Sequence, residues 1–490
     1  MNAASLNPLI VKYRLAIKAI LCLVIVISAR QASSAQDQLP SDIFHGPVVV
    51  VDSIALAGNK ITRDKIILRE IIFKAGDTLE LDDLDERIVR SRENLINTLL
   101  FNFVEVNRLF TGADSSGVVV NVNVIERWYI WPTPILKIND RNFNVWWQTK
   151  DFSRLSYGFY NDWRNFRGRK ENLILKFQWG YERNIMLQYQ VPYLNQKKTL
   201  GMGFGFWYSR QKEAAYQTLY NKQEFYKDPE VYALQDGYAY GQFLIRKNIY
   251  NSHFLELRYD QHHFSDSLIM MNMNYTVDSS DRVKYLSFGY QFKSDHRDFK
   301  SYPLKGYYVD FGLLKHGLWT FKNNTLNTFE IGATFRKYWQ FHPRIYFASG
   351  INGQVSAGFH PYFILGGIGF DRDIVRAYEY YLVNARHFAI WKNNVKFAII
   401  PTQVRDIKFI KSDKFGKIYY ALYMNLFVDA GYGAYDQDYG KETNDLQNSL
   451  LLGYGAGLDF VTYYDVVLRL EFSVNLKNET GFFLHFRAPI

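Results

Sequence analysis

Residues 173–208 read LILKFQWGYERNIMLQYQVPYLNQKKTLGMGFGFWY, and their alternation decides the fold. Leu173, Leu175, Phe177, Trp179 and Tyr181 alternate with Ile174, Lys176, Gln178 and Gly180, and Glu182-Arg183-Asn184 makes a tight turn. Ile185, Leu187, Tyr189, Val191 and Tyr193 then alternate with Met186, Gln188 and Gln190. A second turn, Asn195 to Lys198, leads into Leu200, Met202, Phe204, Phe206 and Tyr208, which alternate with Gly201, Gly203 and Gly205. A period of two is the signature of a strand, and short turns between such runs make antiparallel hairpins. Segments of about nine or ten residues cross a bilayer when tilted. An apolar face suits lipid, and small residues on the other face suit a lumen that must not be overfilled. The competing soluble β-sandwich predicts shorter strands and fewer aromatics at lipid height.

Outward from this stretch the same pattern recurs at Tyr238–Arg246, Phe254–Gln261, Val283–Phe292, Tyr307–Leu314, Leu326–Tyr338, Ile345–Gln354, Val395–Ile400, Ile418–Ala430, Leu450–Phe460, Val466–Leu476 and Gly481–Phe486. With two more strands near Ile135 and Leu155 the count is sixteen. An even number permits a closed sheet without the free edges that a membrane forbids. The expected fold class is a transmembrane antiparallel β-barrel over residues 128–490. Composition agrees. Aromatics are 17% of the chain, with 37 Tyr and 38 Phe, yet the mean hydropathy of −0.23 is that of a polar chain.

The N-terminus reads as a secretory signal over residues 1–35, followed by a linker over 36–46. Lys12, Arg14 and Lys18 precede the apolar run Ala19 to Ala29, and Ser33-Ser34-Ala35 offers a small-residue cleavage site. The run is too short to span a bilayer as a helix. Cys22, the only cysteine, lies within it, so no disulfide or cysteine metal site is expected downstream. Loss of four basic residues and no acidic one would take the net charge from +10 to +6. With no dense Lys/Arg cluster, a nucleic-acid partner is not expected.

Residues 47–127 follow a different pattern. Val48 to Ala57 reads as a strand and Gly58-Asn59 as a turn. Ile66, Ile67, Ile71 and Ile72 then fall at helical spacing from Thr62. Asp82 to Leu100 is a second helix, with Leu84, Ile88, Leu95 and Leu99 on one face. Strands at Phe103–Phe110 and Val118–Ile125, joined by the turn Gly112 to Gly117, complete a β-α-α-β-β order. That is one small α/β domain ahead of the barrel.

Three glycine strings, at residues 201–205, 366–369 and 453–457, lack the strand-to-helix context of a phosphate loop. Small lumen-facing residues explain them better. His262 and His263, near Asp266, are adjacent on a strand and point to opposite faces, which disfavours one shared ion. No nucleophile–base set stands out, so no enzyme, cofactor or metal site is expected.

Phe359 to Val383 resists the dull reading. It is a long inter-strand segment holding Gly366-Gly367, Asp371-Arg372-Asp373 and Val375-Arg376-Ala377-Tyr378, and long loops of this kind are more often functional than idle. On Leu422–Gly431 the alternation turns Leu422, Met424, Leu426 and Val428 to lipid and Asp429 to the lumen. A carboxylate there needs a partner, for which Arg376 is the candidate.

These residues resemble the BamA/TamA-like outer-membrane assembly and translocation superfamily, whose members join POTRA domains to a sixteen-stranded barrel. The resemblance runs from Val48 to the C-terminus. Val375-Arg376-Ala377-Tyr378 looks like the family's Val-Arg-Gly-Phe/Tyr loop motif, and Phe427-Val428-Asp429-Ala430-Gly431 like the Phe-x-Asp-x-Gly pattern whose Asp receives the loop Arg. Asp295, Arg297 and Asp298, with Pro303 and Gly306, resemble the hairpin signature, and Asn165-Phe166-Arg167-Gly168-Arg169 an early periplasmic turn.

The resemblance implies a single POTRA-like domain over 47–127, accepting unfolded chains by strand addition. It further implies charge-assisted hydrogen bonds from Arg376 to Asp429 and a weak seam between the first and last strands, roughly Thr133–Asn139 and Gly481–Arg487. The implied work is insertion or translocation of outer-membrane or secreted polypeptides at the bacterial outer membrane. The domain would lie in the periplasm, with lipid and accessory lipoproteins as further partners. Secretion, lipid export or a passive channel are the alternatives. Three departures stand out: Ala377 replaces the motif glycine, Lys396 falls where insertases often place a second carboxylate (Glu471 is the substitute), and the chain ends on Pro489-Ile490.

Overall fold

The computed structural model describes residues 47–112, 116–138, 155–228, 230–320, 326–371, 373–408, 410, 412, 414–435, 443–462, 464 and 466–486. The expected signal and linker at 1–46, together with Asn139, Arg372 and the terminal 487–490, lie outside the described residues.

The first strand, β1 (Val48–Ala57), leads into helix α1 (Asp64–Glu70), the short β2 (Thr78–Glu80) and helix α2 (Leu81–Ile96). Strands β3 (Phe101–Thr111) and β4 (Gly117–Glu126) follow as an antiparallel hairpin. Strand β1 lies parallel to β4, giving the sheet order β2-β1-β4-β3. The helices cover one face, where Ile66, Ile67, Leu84, Ile88 and Leu95 pack on Val104, Val118, Val120 and Val122. Sequence periodicity missed β2. It also ran both helices too far, since Ile71 and Ile72 lie beyond α1, and Leu99 beyond α2 has a positive φ of 61°.

The rest is one sixteen-stranded sheet. Its strands are β5 (Ile130–Ile138), β6 (Leu155–Phe166), β7 (Glu171–Gly180), β8 (Arg183–Val191), β9 (Leu200–Gln211), β12 (Leu234–Ile245), β13 (Asn251–Phe264) and β14 (Arg282–Asp295), then β15 (Gly306–Thr320), β16 (Thr328–His342), β17 (Ile345–Ala357), β20 (His387–Asp406), β21 (Lys417–Ala434), β22 (Leu450–Thr462), β23 (Val466–Asn475) and β24 (Thr480–His485). Neighbouring strands of this sheet pair antiparallel, as in β7–β8, β13–β14 and β22–β23. Each of the sixteen expected strands has its counterpart, although β20 begins at His387, well before the expected Val395.

Tyr157, Phe159, Phe204, Phe206, Leu257, Leu426 and Leu470 face outward, while Ser156, Asn161, Asn394, Asn425, Asp459 and Ser473 are buried inside. An oily exterior around a polar interior is what lipid demands of a barrel. No helix among the described residues is long and apolar enough to cross a membrane.

Three features went unread in the sequence. A hairpin of β10 (Glu213–Leu219) and β11 (Lys222–Lys227) rises between β9 and β12. A short helix, α3 (Asp266–Met271), follows β13. Finally, β18 (Gly367–Ile368) pairs with β19 (Val383–Asn384), pinching the base of the long loop. The hairpin and the loop meet over the lumen. Leu382 N–H donates to the Asn221 carbonyl (2.8 Å), and Asn221 Nδ2 reaches Asp445, between β21 and β22 (2.7 Å).

Strands β5 and β24 end the sheet, and each pairs on one side only among the described residues. Arg164 N–H donates to the Tyr129 carbonyl, so odd-numbered residues of β5 bond to β6 and even-numbered ones face the seam. Pro132 and Pro134 are even-numbered, and neither has an N–H to offer there.

Candidate functional site: a loop seated in the lumen

Strand parity places Asp429 of β21 inside the barrel, where it is fully buried. Arg376, 1% exposed, meets it from the loop. Arg376 Nε donates to Asp429 Oδ2 at 2.7 Å, Nη2 donates to Oδ1, and the Arg376 backbone N–H adds a contact to Oδ2 at 3.3 Å. This two-pronged geometry is what a planar guanidinium does best. Nη1 donates to Asn394 (2.7 Å) and lies 3.4 Å from Glu471 Oε1. The guanidinium stacks 3.9 Å from the centroid of the Phe427 ring. Every face of a buried cation is therefore answered, which offsets its desolvation.

The glycine string on β22 now has a reason. A Cβ on Gly453 would strike the Arg376 carbonyl, and one on Gly431 would strike Val375. The loop thus lies on a floor of small residues. Ala377 holds a positive φ of 74°, which an L-residue adopts at a cost that glycine would not carry. Asn475 donates to the Ala377 carbonyl (3.1 Å), and Tyr378 is buried with its hydroxyl accepting from Leu476 N–H (3.3 Å).

Glu471 lies beside Arg376, as its parity implied. Lys396 does not. It is Asn394 on β20 that touches Arg376, while the Lys396 ammonium sits 4.1 Å over the ring of Tyr302. An unread buried pair stands next to the site: Arg469 of β23 forks onto both carboxyl oxygens of Asp459 on β22 and reaches Glu471 Oε1 at 3.3 Å. Both residues have lumen-facing parity, so alternation held the signal.

Tyr302 comes from the β14–β15 turn, which also holds Arg297, Asp298 and Pro303. Asp295 and Arg297 form a fork with both bonds at 2.8 Å. Asp298 accepts from the N–H groups of Phe299 (2.8 Å) and Leu304 (3.1 Å), and burial pushes its carboxyl up. Gly306 has a φ of 95° where a Cβ would meet the His296 carbonyl, and Pro303 is buried. So braced, the turn crosses the lumen and Tyr302 donates to Asp459 Oδ2 at 2.6 Å. From the other side, Asn97 at the end of α2 donates to the carbonyls of Arg297 (2.9 Å) and Asp298 (3.1 Å).

The α/β domain is bound to the barrel turns at further points. Buried Glu70 accepts from Arg246 after β12 at 2.9 and 3.0 Å and from Tyr193 at 3.0 Å. Burial alone would raise the Glu70 carboxyl, but Lys170 and then Arg246 hold it well below the usual range. Burial pushes Lys170 down to about 8. The early turn docks too: Asn165 donates to Thr62 Oγ1 (2.8 Å), and Arg63 N–H to the Gly168 carbonyl (3.0 Å).

The two histidines flagged in sequence part company. His262 pairs with Asp236 at 2.7 Å, and His263 lies beside Gln235.

No protein-family model matches the chain, and no curated protein is similar to it in sequence. Among solved structures it is similar to BamA from Haemophilus ducreyi lacking POTRA domains 1–3, at 15% identity and TM-score 0.43, over 89% of this chain and 83% of that one. CdiB from Escherichia coli aligns at 12% identity and TM-score 0.45, over 99% and 98%. CdiB from Acinetobacter baumannii aligns at 13% and 0.46, over 89% and 74%.

Proposed function

We propose that this chain is a BamA/TamA-like outer-membrane barrel that inserts or translocates polypeptides, with residues 47–127 as its one POTRA-like domain. The observation that carries this reading is the seating of Arg376, with the rest of the Val-Arg-Ala-Tyr segment, on Asp429 of the Phe-x-Asp-x-Gly strand. A simple channel has no use for a buried cation that holds a loop across its lumen. Nor does it need a soluble domain bonded to several of its turns. The edges of β5 and β24, unpaired on one side among the described residues, supply what a client strand would pair with, and main-chain pairing is indifferent to sequence.

The test is site-specific photocrosslinking in cells, from exposed positions on β3 and from β24. Nascent outer-membrane or secreted polypeptides are the expected adducts. Adducts to lipid alone would redirect the reading to lipid export. A large single-channel conductance that survives deletion of residues 47–127, with unchanged outer-membrane protein levels on depletion, would replace it with a passive channel.

A further inference from the structure

We propose that Glu379, Glu471 and His485 form a site for one divalent transition-metal ion of the zinc class, joining the loop to the last two strands. Glu379 follows the loop motif, Glu471 lies on β23 and His485 on β24. His485 Nε2 is 3.4 Å from Glu471 Oε2 and 3.6 Å from Glu379 Oε1, and one ligand atom from each residue lies within 4.8 Å of the others.

These separations are too long for charge-assisted hydrogen bonds, which run about 2.7–2.9 Å. They match the edge of a tetrahedron of ligands, about 3.4 Å when each ligand bond is about 2.1 Å. Both Glu379 carboxyl oxygens, Glu471 Oε2 and His485 Nε2 are inaccessible to solvent and have no hydrogen-bond partner among the described residues. Two carboxylates facing one imidazole nitrogen at these loose separations leave a position between the three residues that a cation would satisfy. Glu471 is 1% exposed and its other oxygen is already held by Arg376 and Arg469, so Oε2 is fixed in aim.

Imidazole with two carboxylates is a donor set suited to zinc rather than to calcium or magnesium, which take oxygen alone. Glu379 and His485 keep side-chain exposures of 11% and 26%, so the cluster lies near the surface although its ligand atoms are covered. Sequence gives no sign of this cluster because the three residues lie far apart in it and only the barrel gathers them. Such an ion would pin β24 to the loop, and the site stands whether or not the barrel handles polypeptides.

The test uses the full chain, refolded in detergent and stripped with a chelator. It is titrated with Zn2+, with uptake read by elemental analysis, and with Co2+, whose visible absorption reports nitrogen and oxygen ligands. One ion per chain is expected. His485→Gln and Glu379→Gln should each weaken it at least about tenfold, since even outer-shell partners are worth that much. Glu471 is left intact because it also holds two arginines. Variant folding is checked by strand circular dichroism, and if a variant fails to fold the wild-type titration still decides. No stoichiometric uptake by the folded chain, or equal uptake by both variants, overturns the site.

Discussion

The buried Arg376 is worth more through what its loss would leave than through what its presence adds. Arg376→Ala strands Asp429, fully buried, with its principal partner gone. Breaking such a pair costs about 3–5 kcal/mol, so the variant should unfold at lower denaturant and its loop should become protease-sensitive. A wild-type midpoint with a protected loop would refute the seating role. The opposite change is expected at the next residue. Ala377 carries a φ of 74°, and Ala377→Gly should stabilise by about 1 kcal/mol, read as a higher unfolding midpoint. Gly453→Ala places a methyl against the Arg376 carbonyl and should expose the loop as Arg376→Ala does.

At the scale of elements, the α/β domain is held by the turns between strands, and Glu70 is the electrostatic centre of that contact. Its carboxyl titrates below its ordinary 4.5 in the docked protein. The docking it supports is therefore fully present above pH 4.5 and is lost as the pH falls towards the lowered value. A fluorescence-transfer pair on α2 and the barrel should report separation growing below pH 4.5, and Glu70→Gln should separate the pair at neutral pH. Acid-insensitive transfer would show that the neutral contacts at Asn97, Thr62 and Arg63 carry the docking alone.

At the scale of the molecule, a continuous polar chain runs from domain to loop. Asn97 holds the β14–β15 turn, Tyr302 of that turn bonds Asp459, Arg469 joins Asp459 to Glu471, and Glu471 lies beside Arg376. If it couples the two, Tyr302→Phe, which removes one hydroxyl, should raise loop protease sensitivity while the domain stays docked. An unchanged cleavage rate in Tyr302→Phe would mean the chain is a set of independent bonds. The lumen is crossed by the loop and the β14–β15 turn and capped by the β10–β11 hairpin. Deleting residues 367–383 should therefore raise single-channel conductance in planar bilayers, and an unchanged conductance would mean the other two elements close the pore without it.

The alternation in 173–208 and its repeats determined the sixteen strands, their outward faces and the parity of Asp429 and Glu471, because a pleated strand fixes side-chain direction locally. The helical period of residues 82–100 likewise determined α2, though not its end. Which lumen residues meet was decided by closure. Asn394 and Lys396 share a face, and nothing local tells that one reaches Arg376 while the other lies over Tyr302 from a turn across the barrel. Glu379 and His485 are 106 positions apart, and Glu70 and Arg246 are 176 apart. Pairings of that kind follow from the curvature and stagger of the whole sheet, a property that no window of sequence contains.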